Sequence, residues 1–162
     1  MAIGVPRSAG AVTLRPARLS DVPQLEALMA PYVATGDLLP RSDYDLCRHI
    51  REYVVAAAPD GTVVACGSLK VYSRELGEIA ALAVLPVYQG AGLGRAIAQA
   101  IIAEGRAAGL DELLALTRKP AFFLALGFVP SERERFPLKV WADCTRCPRQ
   151  NCCDEIAVVL KL

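Results

Sequence analysis

A chain of 162 residues is about the size of one domain. It can bury roughly two thirds of the surface its unfolded form exposes, so neither a disulfide nor a metal is required merely to hold a core. Hydrophobic residues make up 54% of it, yet no apolar run approaches the ~18 to 20 residues of a membrane span. The 18 basic and 17 acidic residues nearly cancel. With no basic block and no aromatic-basic alternation, neither a nucleic-acid nor a membrane partner is expected.

Residues 1–10 carry Pro6 and Arg7 and lack the apolar stretch of a secretory signal. They are expected to be a flexible leader on a cytoplasmic protein, with a single domain over residues 11–162. Val12 to Arg15 alternates apolar and polar residues as a first strand does. Ser20-Asp21-Val22-Pro23 then offers an N-cap with proline in the first turn, predicting a helix to Ala34 that Gly36 terminates. Beyond the extended Leu38-Leu39-Pro40, Ser42 caps a shorter predicted helix carrying Tyr44, Leu46 and Ile50. Tyr53–Ala58 and Thr62–Tyr72 are β-rich runs joined by the turn Pro59-Asp60-Gly61. Gly77–Val84 is an almost wholly apolar fourth strand interrupted by one charge, Glu78, and such continuity indicates burial on both faces.

A glycine-rich segment follows, Gln89-Gly90-Ala91-Gly92-Leu93-Gly94-Arg95. From Leu93 to Ala108 apolar residues recur at helical spacing, and Gly109 supplies the stop. Leu113–Leu116 reads as a fifth strand, Pro120 opens a short helix ending at Gly127-Phe128, and Ile156–Leu162 is the last strand. The order predicts an α/β fold of the α+β kind, with helices on both faces of a mixed sheet containing one strand-loop-helix-strand crossover.

Glycines placed between a buried strand and a long amphipathic helix let backbone amides converge on one point at the positive end of the helix, the arrangement a diphosphate needs. A flexible turn would show the same glycines, so context carries the reading. A Walker loop would follow its last glycine with Lys-Ser or Lys-Thr, where Arg95-Ala96 stands here. A dinucleotide loop would follow the first strand, whereas this one lies past mid-chain.

Gln89-x-x-Gly92-x-Gly94 after an apolar strand resembles the coenzyme A signature of the GNAT acetyltransferase superfamily. Pro86-Val87-Tyr88 ahead of it, and Phe122 to Phe128 ending in Gly-Phe, extend the likeness over nearly the whole chain. The resemblance implies a mostly antiparallel sheet splayed between strands 4 and 5. It further implies that acetyl-CoA is the co-substrate, that the backbone near Leu82 and Val84 meets its pantetheine arm, and that Gln89, Gly90, Ala91, Gly92, Leu93, Gly94 and Arg95 cradle its pyrophosphate. Leu38 to Ser42, Gly77 to Ala80, Leu116 to Pro120 and Lys139 to Cys144 are similar to the acetyltransferase domain of N-acetylglutamate synthases, in its short form. That likeness implies an amino acid, glutamate first, as acceptor, with Leu38 and Arg41 at its carboxylate and Lys70 and Arg118 as secondary candidates. It carries only a loose expectation of a homodimer.

Acetyl transfer to an amine needs a base to remove the ammonium proton. Glu78, a carboxylate in an apolar strand, is the candidate, because desolvation makes a carboxylate a better proton acceptor. A strand-end carboxylate satisfied by Arg74 or Lys70 is the alternative. Many superfamily members carry a tyrosine four residues before the Gly-Phe glycine to protonate the leaving thiolate; Phe123 stands there, which leaves the Thr117 hydroxyl, a water or unaided departure. A forked guanidinium suits a substrate carboxylate, hence Arg41, although an arginine ahead of a helix cap is commonly a solvated surface residue. His49 beside Arg48 and Arg51 is read as surface, and Trp141 as a packing residue.

Six cysteines are present, and Cys144, Cys147, Cys152 and Cys153 crowd into ten residues. Cys-x-x-Cys is a good half-site for zinc, but adjacent cysteines rarely turn both sulfurs to one metal without strain. Free thiols are therefore expected first, a metal site second.

Overall fold

The computed structural model describes residues 12–136 and 154–162. The leader over residues 1–10, Trp141 and the cluster of Cys144, Cys147, Cys152 and Cys153 lie outside the described residues. In chain order the elements are β1 (Thr13–Pro16), α1 (Val22–Ala34), α2 (Asp43–Arg48), β2 (Tyr53–Ala57), β3 (Val63–Val71), β4 (Leu76–Val84), α3 (Leu93–Ala108), β5 (Glu112–Thr117), α4 (Pro120–Leu124), β6 (Val129–Ser131) and β7 (Ile156–Lys161).

Among the described residues the strands form a seven-stranded sheet in the order β1-β2-β3-β4-β5-β7-β6. Every neighbouring pair is antiparallel except β4 and β5, which are parallel and bracket the crossover through α3. Alternation along the strands sends one set of side chains to each face. On one face α3 buries Leu93, Ile97, Ile101 and Ile102 together with Val64, Ile79 and Phe123. On the other, Leu25, Leu28 and Met29 of α1 and Leu46 of α2 cover Val55, Val63 and Cys66.

Two local readings differ from the structure, at Ile50 and at β6. The cap expected within Ser20-Asp21-Val22-Pro23 is supplied by Asp21, which ends a 3-10 turn over residues 19–21 and leaves Pro23 in the first turn of α1. The Asp21 carboxylate is used elsewhere, accepting from the Arg18 amide at 2.7 Å and from both terminal nitrogens of Arg15 at 2.7 and 2.9 Å. The helix capped by Ser42, whose hydroxyl accepts the Asp45 amide at 3.1 Å, stops at Arg48, so Ile50 lies in a separate 3-10 turn. The short edge strand β6 was not foreseen, since Val129-Pro130-Ser131 has too few residues for a period and a proline that suits only an edge.

Candidate active site

β4 is paired to β5 only at its start, where Leu76, Gly77 and Glu78 face Glu112, Leu113 and Leu114. Beyond Glu78, β4 continues with β3 and β5 continues with β7, so a gap opens between them. A bulge accompanies the separation. Cys66 faces Ala83 and Ser68 faces Ala80, which leaves Gly67 alone opposite Ala81 and Leu82. Ala81 takes a left-handed φ of 53°, and an extra residue of this kind bends and twists its strand. Gly67 cannot be replaced cheaply here: a Cβ would lie 2.6 Å from Ile97 Cγ2 and 2.9 Å from Ile101 Cδ1. The helix thus sits directly on the bulge.

Leu85 donates its amide to the Val64 carbonyl at 2.9 Å. By strand alternation the polar groups of Val84 point the other way, into the gap. There the Val84 carbonyl accepts from the Tyr32 hydroxyl of α1 at 2.6 Å, and the Gln89 side-chain amide donates to the same hydroxyl at 2.8 Å. After a 3-10 turn at Pro86–Tyr88, Gly90 and Gly92 adopt φ of 80° and 81°, and Gly92 caps α3. These are values that side chains disfavour. The first bond of the helix runs from the Ala96 amide to the Gly92 carbonyl at 3.0 Å. The amides of Leu93, Gly94 and Arg95 therefore precede the intrahelical ladder and sit at its positive end.

A cleft of about 530 Å³ joins this helix terminus to the gap and continues to Glu78 and to the segment around Arg41. Of the residues singled out from sequence, Leu38, Arg41, Glu78, Leu82, Val84, Gln89, Gly90, Gly92, Leu93, Gly94, Arg95, Thr117 and Arg118 line it. Ala91 and Lys70 are not on its wall. Lys70 lies directly opposite Glu78 on β3, beside the cleft.

At the far end of the cleft Glu78 is only 3% exposed. The Tyr72 hydroxyl donates to Glu78 Oε2 at 2.5 Å. Arg74, the alternative partner weighed above, extends into solvent with its Nε 4.0 Å from Glu75. Arg41 donates to the Leu39 carbonyl at 3.3 Å. Burial pushes the Tyr53 phenol and the Cys66 thiol each up to about 12, and the positive charge of Arg41 opposes both shifts. Arg118 is shared between Asp37 at 2.8 Å and Asp154 at 3.2 Å. The Thr117 hydroxyl oxygen accepts the Lys119 amide at 2.8 Å.

Tyr32, Asp37, Phe122 and Glu155 also line the cleft and were missed from sequence, as was Tyr72 behind Glu78. Tyr72 had a signal: it directly precedes the turn at residues 73–75, and by strand alternation it shares the face of Lys70, the residue opposite Glu78. Tyr32 had none, since it reaches Val84 across 52 residues of chain. His49 is a half-exposed surface residue bonded to Glu52 at 2.8 Å. Among the described residues no group of His, Cys, Asp and Glu is disposed to hold a metal, and no helix is long and apolar enough to cross a membrane.

Residues 22–128 match the Acetyltransferase (GNAT) family. An uncharacterised N-acetyltransferase of Chlorobaculum tepidum is 38% identical over 152 residues, 92% of this chain and 96% of that protein. An amino-acid acetyltransferase of Mycobacterium tuberculosis is 38% identical over 121 residues, 74% of this chain and 69% of that one. The amino-acid acetyltransferase of Neisseria meningitidis is 35% identical over 78% of this chain, which spans only 29% of that longer protein. Among solved structures, N-acetylglutamate synthase from Neisseria gonorrhoeae, complexed with coenzyme A and N-acetyl-glutamate, superposes with a TM-score of 0.83 at 31% identity, covering 93% of this chain and 35% of that one. With a matching profile over most of its length and the parallel, splayed β4–β5 pair of the fold in place, the chain belongs to the GNAT acetyltransferase family.

Proposed function

We propose that this protein transfers acetyl from acetyl-CoA to the α-amine of L-glutamate by direct attack within a ternary complex, the first step of arginine biosynthesis, in the cytoplasm. The observation that carries the reading is the single cleft joining an open helix N-terminus to a buried carboxylate. In this reading the amides of Leu93, Gly94 and Arg95 hold the pyrophosphate, because anions favour unbonded amides at the positive end of a helix. The gap between β4 and β5 takes the pantetheine arm, which needs strand-like partners there.

Glu78 accepts the ammonium proton, freeing the amine's lone pair to attack the thioester carbonyl. The C–N bond forms, the C–S bond breaks, and coenzyme A leaves as a thiolate that takes up the second proton the attacking nitrogen must shed to become a neutral amide. The Thr117 hydroxyl, whose oxygen already accepts from Lys119, keeps its proton to offer. Arg41 holds a substrate carboxylate with its fork of donors. The relatives named for amino-acid acetyl transfer, and the gonococcal structure with N-acetyl-glutamate, support this choice of acceptor.

One observation favours a second acceptor. Because Arg118 is shared between Asp37 and Asp154, less positive charge is left for a second carboxylate, which favours glutamine. Incubation with acetyl-CoA and L-glutamate, L-glutamine, L-aspartate or a short peptide, with released thiol followed by a colour reagent, separates these readings. Glutamate is expected to stimulate release most. If no amino acid does so, the assignment fails.

A further inference from the structure

Tyr32 stands where two parts of the cleft meet. Its backbone carbonyl accepts the amides of Asp37 at 2.8 Å and Leu38 at 3.1 Å, closing the turn after α1 and placing the segment that leads to Arg41. Its hydroxyl reaches the opposite way, donating to the Val84 carbonyl at 2.6 Å and accepting from Gln89 Nε2 at 2.8 Å. One residue thus ties the acceptor segment, the last residue of β4 and the first residue of the glycine loop. Gln89 is itself exposed, and its side-chain amide is turned to Tyr32.

From this we propose that Tyr32 is a positioning residue that makes the acceptor segment and the cofactor loop one mechanical unit, so that coenzyme A seated at the α3 terminus orders residues 36–41 for the amine. The inference rests on the reading that the α3 terminus takes coenzyme A. The physical route is short. A ligand that fixes the loop fixes Gln89 and the end of β4, these hold the Tyr32 ring through its hydroxyl, and the same residue's carbonyl holds Asp37 and Leu38. Removing the hydroxyl cuts the route while leaving the carbonyl bonds and the helix intact.

Hydrogen exchange read by mass spectrometry on the whole protein, with and without coenzyme A, tests this independently of the acceptor's identity. In the wild type, coenzyme A is expected to slow exchange about fivefold or more both in a peptide spanning residues 88–96 and in one spanning residues 35–42, in line with typical coupling between sites. In Tyr32→Phe the first peptide should still respond and the second should not, while the dissociation constant for coenzyme A rises about three- to tenfold for the lost hydrogen bond. Gln89→Ala, which keeps the Tyr32–Val84 bond, should reduce the response of residues 35–42 only in part. The proposal is overturned if residues 35–42 respond equally in wild type and Tyr32→Phe, or respond in neither while residues 88–96 do. If residues 88–96 fail to respond in the wild type, the cofactor reading itself falls and the proposal falls with it.

Discussion

The two ends of the cleft are built on different physical terms. The end proposed for the cofactor is made of backbone: amides before the first helical bond, left-handed glycines, and strand edges freed by the divergence of β4 from β5. The end proposed for the acceptor is made of side chains from four separate segments, with Arg41 after α1, Tyr72 and Glu78 across a hairpin, and Arg118 after β5. A backbone site tolerates most substitutions that leave its geometry alone. A side-chain site loses its function with a single atom group.

The contrast is broken most directly at Glu78. Glu78→Gln is expected to lower kcat by a factor of about 10² to 10⁴, the usual worth of a general base, while calorimetry shows coenzyme A bound as in the wild type. Loss of cofactor affinity alongside would mean that Glu78 also shapes the cofactor end. Next is Arg41→Ala, for which the KM of the amino acid should rise about 10- to 100-fold, the range for a hydrogen bond to a charged group, with the KM of acetyl-CoA unchanged. An equal rise in both would place Arg41 outside the acceptor site.

At the cofactor end the sensitive feature is conformation. Gly92→Ala forces a Cβ into a left-handed φ of 81° where no atom crowds it, a cost of roughly 1 to 2 kcal/mol, and should raise the KM of acetyl-CoA about tenfold. Gly94→Ala places its Cβ at an ordinary 3.6 Å from Phe122 and Val84. The melting temperature should hold or rise slightly, since alanine suits a helix better, so that any loss of acetyl-CoA affinity reports a close approach of ligand to backbone.

The smallest effect lies outside the cleft and serves as a control. Hydrogen bonds from Arg15, opposed by burial, hold the Asp21 carboxyl below its ordinary range. A depressed carboxylate contributes stability that is present above its unfolded value near 4 and is lost as pH falls through the folded value. Melting temperature followed against pH should therefore drop below about pH 4. Asp21→Asn should start about 2 to 4 °C lower at neutral pH and lack that part of the acid drop, with both KM values unaltered.

How much of this could be read in the sequence follows the same division. The glycine loop and α3 were legible because their signals are local: a buried run, glycines at fixed offsets, and apolar residues at helical spacing. Glu78 was legible as a lone charge in an apolar strand. Tyr72, its hydrogen-bond partner, was assigned to a strand without a role, because hairpin register decides which residues cross over to meet. Lys70 was placed near Glu78 by that register but not on the cleft wall. Arg118 was a secondary candidate for the substrate carboxylate in sequence, whereas Asp37 and Asp154 converge on it from 81 and 36 positions away.

By itself the sequence determined the order of the elements other than β6, the glycines that shape the terminus of α3, and the presence of one carboxylate where an apolar strand should have none. These are consequences of neighbours within about a dozen residues, whose spacing is fixed by covalent geometry and helical or strand period. Only the tertiary structure decided that β4 leaves β5 after Glu78, that Gly67 lets α3 sit on the resulting bulge, and that Tyr32 spans the distance between the two ends. Each of those depends on contacts whose partners are remote along the chain, and no local period encodes which remote residues will touch.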